Sequence, residues 1–270
     1  MRLILVLLGL LAASAATAEP RQTRNLSYGP APENRLDVYT DTSNQAAPVL
    51  VMLHGGGWKR GSKSMPGVWK DKVAWWVPRG YVFVSVETRL LPQARPDEQV
   101  QDFARAVAFV QANAASWGGD ASRVVLMGHS AGAHIAALLA GDGDLRRSFG
   151  IAPLRGAVAL DSGALDLEAV MTARHFELYD DAFGADPAYW AQVSPIRRLS
   201  SDTSPVLAVC SSRRLRVCGE ARDYARAAAR KGVRVTVMPV ALSHGRINGD
   251  LGQPSPYTEA VSDWIADKVR

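Results

Sequence analysis

Apolar and polar segments alternate along this chain in the pattern of a layered α/β protein. Short apolar runs predict strands near residues 35–39, 49–53, 81–86, 124–128, 156–160, 205–210 and 233–238. Between them, apolar residues at three-to-four spacing predict helices at 97–115, 132–141, 219–231 and 257–269. Strands that alternate with helices form parallel sheets, so the pattern predicts a mostly parallel central sheet with helices on both faces.

One segment, at about residues 166–199, interrupts this alternation and predicts a small cap. It lies between the strands at 156–160 and 205–210 and carries several aromatic residues, among them Phe176, Tyr179 and Trp190. These side chains either line a substrate pocket or form the cap's own core. Because the insertion is short, we expect an open pocket rather than a tunnel.

The turn after the strand at 124–128 carries the first candidate for chemistry. It reads Gly128-His129-Ser130-Ala131-Gly132 and leads directly into a helix-forming run. A G-x-S-x-G sequence between strand and helix is typical of a nucleophile elbow, in which a strained turn exposes the serine hydroxyl above the sheet. Ser130 is therefore the candidate nucleophile.

A glycine run follows the strand at 49–53 and predicts an oxyanion hole. The sequence at residues 54–58 is HGGGW, which leaves backbone N–H groups free of side-chain cover. Such donors stabilise the alkoxide formed during acyl transfer. We assign the N–H groups of Gly56, Gly57 and Ala131 to this role; the alternative is a tight glycine turn without chemistry.

A histidine follows the last predicted strand, where a general base is needed. His244 lies in what the sequence indicates is a loop, beyond residues 233–238 and after Ser130 in chain order. Nucleophile before histidine is the order found in α/β-hydrolases. The alternative is an ordinary surface-loop histidine, but the elbow and the glycine run favour a base. We assign no catalytic role to His129 or His134.

These motifs resemble those of α/β-hydrolases of the esterase branch with an HGGGW oxyanion loop. That branch includes hormone-sensitive-lipase-like esterases, kynurenine formamidases, and feruloyl or acetyl-xylan esterases. The resemblance covers nearly all of the chain after residue 18. It implies the α/β-hydrolase fold and hydrolysis of carboxylic esters, or sometimes amides, without a cofactor or a metal.

The triad acid departs from the family pattern. It is normally an Asp or Glu after the strand at 205–210, but residues 211–218 contain three arginines and no carboxylate. Asp161, at the end of the strand at 156–160, is the first-ranked substitute; Asp166 and Glu220 are the alternatives. Each could instead have a purely structural role, since such residues commonly cap helices and turns or complement a helix dipole.

Two cysteines, Cys210 and Cys218, bracket the same segment. Seven residues lie between them, and a disulfide there would contribute about 2–3 kcal/mol in an oxidising compartment. The alternative is a pair of reduced, buried cysteines, one on a strand and one at a helix start.

The N-terminus is typical of a secretory signal peptide. Arg2 precedes an apolar run at residues 3–11, and residues 16–18 fit a small-x-small cleavage site. We expect cleavage near Ala18, a single domain at 19–270, and an exported protein, periplasmic or secreted. The apolar run is too short for a stable membrane anchor.

The net charge of the chain indicates whether a nucleic acid is an expected partner. The formal net charge is +5, and it falls to +4 when Arg2 is removed. This excess is too small to indicate a nucleic-acid partner. The partner that the family resemblance implies is a small-molecule ester substrate.

The sequence predicts a serine carboxylesterase that acts on small acyl esters through an acyl-enzyme. The competing hypothesis is a non-catalytic or weakly active binding protein on an α/β-hydrolase scaffold, because the usual acid is absent from its usual loop.

Overall fold

The computed structural model of the protein describes residues 20–41, 43 and 45–270. The signal peptide predicted at residues 1–18 lies outside the described residues. Across the described ranges, no helix combines the length and apolarity needed to cross a bilayer.

A single sheet organises the described chain, and its strand order is β1-β2-β4-β3-β5-β6-β7-β8. β1 and β2 pair antiparallel, β2 pairs antiparallel with β4, and every pair from β4 to β8 is parallel. The strands are β1 Arg21–Ser27, β2 Arg35–Thr40, β3 Ala47–Leu53, β4 Val82–Val86, β5 Gly119–His129, β6 Gly156–Leu160, β7 Val206–Ser211 and β8 Val235–Val240.

Helices cover both faces of this sheet. α2, α3 and α8 pack on one face, whereas α1, α9 and α10 pack on the other. The predicted mostly parallel sheet with helices on both faces is confirmed. The helices are α1 Pro66–Trp76, α2 Pro96–Asn113, α3 Ala131–Gly141, α4 Gly143–Ser148, α5 Leu167–Met171, α6 Glu177–Phe183, α7 Pro187–Gln192, α8 Leu215–Ala229, α9 His244–Gly249 and α10 Pro256–Lys268.

The central strand β3 explains why the apolar pattern identified the sheet. All seven of its residues are buried. Val49 and Val51 face the α2–α3 side, and Leu50 and Met52 face the α1–α10 side. A parallel strand covered on both faces is apolar at every position, which produces a continuous run instead of an alternation.

Among the elements that were not predicted from the sequence, β1 and α1 lack such a signal. β1 is an edge strand with mostly polar, exposed or half-buried residues. In α1 the buried positions are Val68, Lys72, Val73 and Trp76, so a lysine interrupts the apolar stripe. Lys72 is tolerated inside because its Nζ donates to two backbone carbonyl oxygens, those of Gly67 and Asn248.

Predicted boundaries were also wrong by a few residues in places. β5 begins at Gly119 rather than at residue 124, and α8 begins at Leu215 rather than at residue 219. Glu220 therefore lies in the second turn of α8 and not at its start.

The segment at 166–199 contains α5, α6, α7 and a short 3-10 turn at Pro195–Arg198. Its aromatic residues divide between the two roles considered for them. Phe183 and Tyr189 are buried in the core, whereas Phe176 is 71% exposed.

Cys210 and Cys218 form a disulfide, with their Cα atoms 5.2 Å apart. The predicted bond is therefore confirmed. Cys210 lies on β7 and Cys218 lies in the first turn of α8, because the helix begins at Leu215. The bond joins strand to helix across the turn at residues 212–214.

Replacing both cysteines by serine should lower the free energy of unfolding by about 2–3 kcal/mol, because the unfolded chain without the cross-link has more conformational entropy. Equilibrium urea unfolding measures this. The wild-type protein under dithiothreitol is the control and should lose a similar amount. A reduced wild-type protein as stable as the oxidised one would contradict the prediction.

Candidate active site

Ser130 occupies the sharp turn between β5 and α3. Its backbone has φ 55° and ψ −117°, a conformation that a non-glycine residue rarely adopts. The turn is held by the Ser130 N–H, which donates to the carbonyl oxygen of Leu160 on β6 at 2.9 Å. Ser130 also lines a cavity at the carboxyl ends of the strands.

Close backbone packing around this turn requires its two glycines. A Cβ at Gly128 would lie 2.2 Å from the carbonyl oxygen of Gly132. A Cβ at Gly132 would lie 2.4 Å from the carbonyl oxygen of Leu53 at the end of β3. Any side chain at either position would push α3 away from the sheet, so the G-x-S-x-G pattern is a packing requirement here.

His244 reaches Ser130 from the segment that follows β8. It is the first residue of the short helix α9, not part of a loop as the sequence indicated, and Ser243 caps that helix. The His244 Nε2 atom lies 3.0 Å from Ser130 Oγ. On its other side, His244 Nδ1 lies 2.7 Å from Asp161 Oδ2.

Asp161, directly after β6, has a fully buried side chain. Its Oδ1 accepts the N–H of Ser211 at 2.7 Å, and its Oδ2 accepts from both His244 and Arg214. Burial acts to raise the pKa of Asp161, but these hydrogen bonds and the charge of Arg214 outweigh it, so that the pKa lies below its ordinary value. The group is therefore a carboxylate at neutral pH.

Because Asp161 is ionised, it is clear which atoms of Asp161, His244 and Ser130 donate hydrogen bonds and which accept them. His244 Nδ1–H donates to the carboxylate, which leaves Nε2 free to accept the Ser130 hydroxyl proton. Of the three acids considered from the sequence, the structure brings Asp161 to the histidine.

The other two acids lie in capping positions. Asp166 is the N-cap of α5, where its Oδ1 accepts the N–H of Ala169 at 3.2 Å. Glu220 accepts the backbone N–H groups of Leu165 and Asp166. Burial raises the pKa of Glu220 to about 7. Both acids hold the start of the 166–199 segment.

Arg214 stands in the loop where the family's acid is normally found. Its Nη1 lies 2.6 Å from Asp161 Oδ2 and 2.8 Å from His244 Nδ1. Since Nδ1–H is directed to the carboxylate, the guanidinium donates to Asp161 and only contacts the imidazole. The arginines of this loop are evident in the sequence, but a basic run is usually solvated surface, and only the fold shows that Arg214 faces Asp161 and His244.

The glycine run lies beside Ser130, on the cavity wall. Gly56 has φ 129° and Gly57 has φ 62°. A Cβ at Gly56 would lie 2.0 Å from the carbonyl oxygen of Arg60, whereas one at Gly57 would meet only Leu178, at 3.8 Å. In the described chain, no hydrogen bond uses the N–H of Gly56, Gly57 or Ala131. These donors are therefore available to a ligand.

Trp58 anchors the end of this run. Its indole N–H donates to His134 Nδ1 at 3.1 Å, and Gln99 donates to its carbonyl oxygen at 2.8 Å. His134 Nε2 in turn donates to the carbonyl oxygen of Val193 at 2.7 Å. One buried histidine thus joins the glycine run, α3 and the 166–199 segment.

Glu87, directly after β4, anchors the start of the glycine run. It was not predicted from the sequence. Its carboxylate accepts from His54 Nε2 at 2.8 Å, from the Ser62 hydroxyl at 2.8 Å and from the Lys63 N–H at 3.1 Å. No local signal marks Glu87, because its partners lie on a different segment of the chain.

His129 supports the base from the sheet side. Its Nε2 donates to the carbonyl oxygen of His244 at 2.9 Å, and the two rings lie 4.6 Å apart. Burial and the neighbouring His244 lower the pKa of His129 to about 3, so it stays neutral. Burial likewise lowers the pKa of His134 to about 4.

The cavity above Ser130 has a volume of about 650 Å³ and opens to solvent. Its walls come from the glycine run, the start of α1, α6 and α9. Within the described ranges, no group of three or more His, Cys, Asp or Glu side chains is placed to hold a metal ion. The apolar lining residues are Trp58, Met65, Val68, Phe176, Leu178 and Tyr179.

The parallel sheet, the strained serine after β5 and the histidine after β8 define an α/β-hydrolase of the esterase branch. A family model described as BD-FAE matches residues 36–213, about two thirds of the sequence. The chain belongs to the BD-FAE family.

Individual relatives agree with this placement. A probable isoprenylcysteine alpha-carbonyl methylesterase of Oryza sativa is 39% identical over 115 residues, which cover 42% of this chain and 26% of the relative. Esterase LipC of Mycobacterium tuberculosis is 27% identical over 261 residues, covering 90% of this chain and 64% of the relative. The chain thus spans less than two thirds of either relative.

A solved structure shows the same fold. A hyperthermophilic esterase from Pyrobaculum calidifontis superposes with a TM-score of 0.75 at 22% identity, and the match covers 94% of this chain and 86% of that one. The predicted α/β-hydrolase fold is confirmed.

The buried His134 predicts a loss of stability in acid. Below pH 6.5 the unfolded chain binds a proton that folded His134, with its pKa of about 4, does not bind, so the free energy of unfolding falls as the pH drops from 6.5 towards 4. We expect the stability gap between wild type and His134→Gln to shrink by about 2 kcal/mol between pH 7 and pH 5. Urea unfolding at the two pH values measures it.

His175→Gln is the matched control. Asp180 raises the pKa of His175, so this side chain adds stability as the pH falls. The difference in free energy of unfolding between the wild type and His175→Gln should therefore increase in acid. A stability difference between the wild type and His134→Gln that does not depend on pH would contradict the prediction.

Proposed function

We propose that the protein is a serine carboxylic-ester hydrolase that works through an acyl-enzyme intermediate. The observation that carries the proposal is the hydrogen-bonded series from Ser130 Oγ to His244 Nε2 at 3.0 Å and from His244 Nδ1 to Asp161 at 2.7 Å. Membership of the BD-FAE family and the named esterases among the relatives support it.

In this mechanism Ser130 Oγ attacks the ester carbonyl carbon while His244 Nε2 takes its proton. The imidazolium that forms is stabilised by the carboxylate of Asp161. His244 then gives the proton to the departing alkoxide, which leaves as the alcohol. Water, deprotonated by His244, attacks the acyl-serine and releases the carboxylic acid and the free hydroxyl.

The oxyanion of each tetrahedral stage is assigned to the N–H groups of Gly56, Gly57 and Ala131. Supporting this, all three residues line the cavity at Ser130, and none of their N–H groups has a partner in the described chain. Each such donor contributes about 3 kcal/mol in known acyl-transfer enzymes.

Small acyl esters are the proposed substrates. From the 166–199 segment, the lining of the cavity at Ser130 takes Phe176, Leu178 and Tyr179, at the start of the seven-residue helix α6. Leu178 of α6 lies against the glycine run, so it limits the space beside the oxyanion donors. A long acyl chain would extend into solvent and gain little burial.

We also propose that the protein is exported. The Cys210–Cys218 bond is compatible with an oxidising compartment. N-terminal sequencing of the mature protein, with Glu19 as the expected first residue, tests this part of the proposal.

Ester hydrolysis is expected to depend on Ser130 and to decrease with acyl length. The kcat/KM for p-nitrophenyl acetate, butyrate and octanoate should fall along the series, and Ser130→Ala should lose at least about a thousandfold in kcat. A fluorophosphonate should label the wild type and not the variant. Equal hydrolysis by both proteins would refute the mechanism. No hydrolysis and no label would favour a binding protein.

The acid is tested by amide substitutions. Asp161→Asn should lower kcat for p-nitrophenyl acetate by about three to four orders of magnitude, because an amide no longer holds His244 in the productive tautomer. Asp166→Asn and Glu220→Gln are the controls, and each should stay within about tenfold of the wild type. If either control fell as far as Asp161→Asn, the assignment of the acid would be wrong.

A further inference from the structure

A side cavity opens next to the pocket at Ser130. Its volume is about 210 Å³, the space of about seven water molecules at roughly 30 Å³ each. Gly163, Phe176, Tyr179 and Arg214 line both cavities. The side cavity therefore adjoins the pocket at Ser130, with these four residues at the boundary between them.

Three arginines, Arg174, Arg214 and Arg216, contribute to the lining of this side cavity. Arg214 is paired with Asp161. Arg216 donates to the backbone carbonyl oxygens of Arg174 and Ala169, which do not neutralise its charge. The exposed Arg174 side chain has no hydrogen-bond or ion-pair partner within the described ranges. In the described part of the chain neither Arg174 nor Arg216 forms an ion pair, and Arg216 interacts with the Glu220 carboxyl group only at longer range.

Little negative charge in the lining opposes them. Glu220 is the one carboxyl group among the lining side chains of this cavity. Its Oε1 already accepts two backbone N–H groups, and burial raises its pKa to about 7, so it is only partly ionised at neutral pH. His175 also lines the cavity and pairs with Asp180 at 3.0 Å.

We propose that the side cavity binds an anionic group of the substrate, and that the preferred esters carry a carboxylate near the reacting carbonyl. This inference rests on the proposed function. A guanidinium matches a carboxylate in shape and donates two parallel hydrogen bonds to it, and Arg174 is free to do so. Because Arg174 is exposed, the expected effect is modest and sensitive to salt.

The test compares matched charged and neutral esters. One pair is 4-acetoxybenzoate and 4-acetoxybenzamide, with the charge on the leaving group; the other is methyl hydrogen adipate and its amide, with the charge on the acyl group. In at least one pair the anion should have a kcat/KM about fivefold higher, and the preference should weaken in high salt.

Arg174→Gln should bring that ratio close to one. Arg213→Gln is the matched control, because Arg213 is an exposed arginine in the same region that lines neither cavity. It should keep the wild-type ratio. Equal rates within both pairs would overturn the inference, and so would a loss of preference in Arg213→Gln as large as in Arg174→Gln.

Calorimetric binding of benzoate and benzamide to Ser130→Ala separates this inference from the proposed function. If benzoate binds more tightly and Arg174→Gln abolishes the difference, the anion site stands even where no ester is hydrolysed. If esters are hydrolysed without preference and both probes bind alike, the hydrolase stands and the anion site is refuted.

Discussion

The charge buried at Asp161 is the constraint on which the site depends. An isolated carboxylate with no exposed surface would be costly, so the fold has to supply donors from several segments. Ser211 supplies one from the end of β7, His244 one from the start of α9, and Arg214 one from the turn before α8. Three chain segments, at the end of β7, before α8 and at the start of α9, are thus hydrogen-bonded to the residue that follows β6.

His244 is held in place from several directions as a result. Asp161 fixes its Nδ1, and His129 donates to its carbonyl oxygen from the elbow itself. Lys72 fastens the far end of α9 by donating to the carbonyl oxygen of Asn248 at 2.7 Å. Lys72 is buried where α1 meets α9, and this burial lowers its pKa to about 7.

Arg214 changes the electrostatics that a hydrolase of this branch usually has. A cation takes the place where the family has its acid, and it shares one carboxylate oxygen with the candidate base. The same side chain lines the wall between the main pocket and the side cavity. Arg214 therefore connects the proposed chemistry with the proposed preference for anionic substrates.

Sequence patterns were sufficient to predict the sheet, the elbow, the glycine run and the candidate base. These features depend on local requirements: burial on both faces makes β3 continuously apolar, and backbone contacts below 2.5 Å exclude side chains at Gly128 and Gly132. The tertiary structure alone decided which acid meets His244, that Glu87 anchors the glycine run, and what Arg214 faces. Each of these joins residues distant in the chain, and a carboxylate or guanidinium looks the same in the sequence whether it caps a helix, meets solvent or lies buried against a partner.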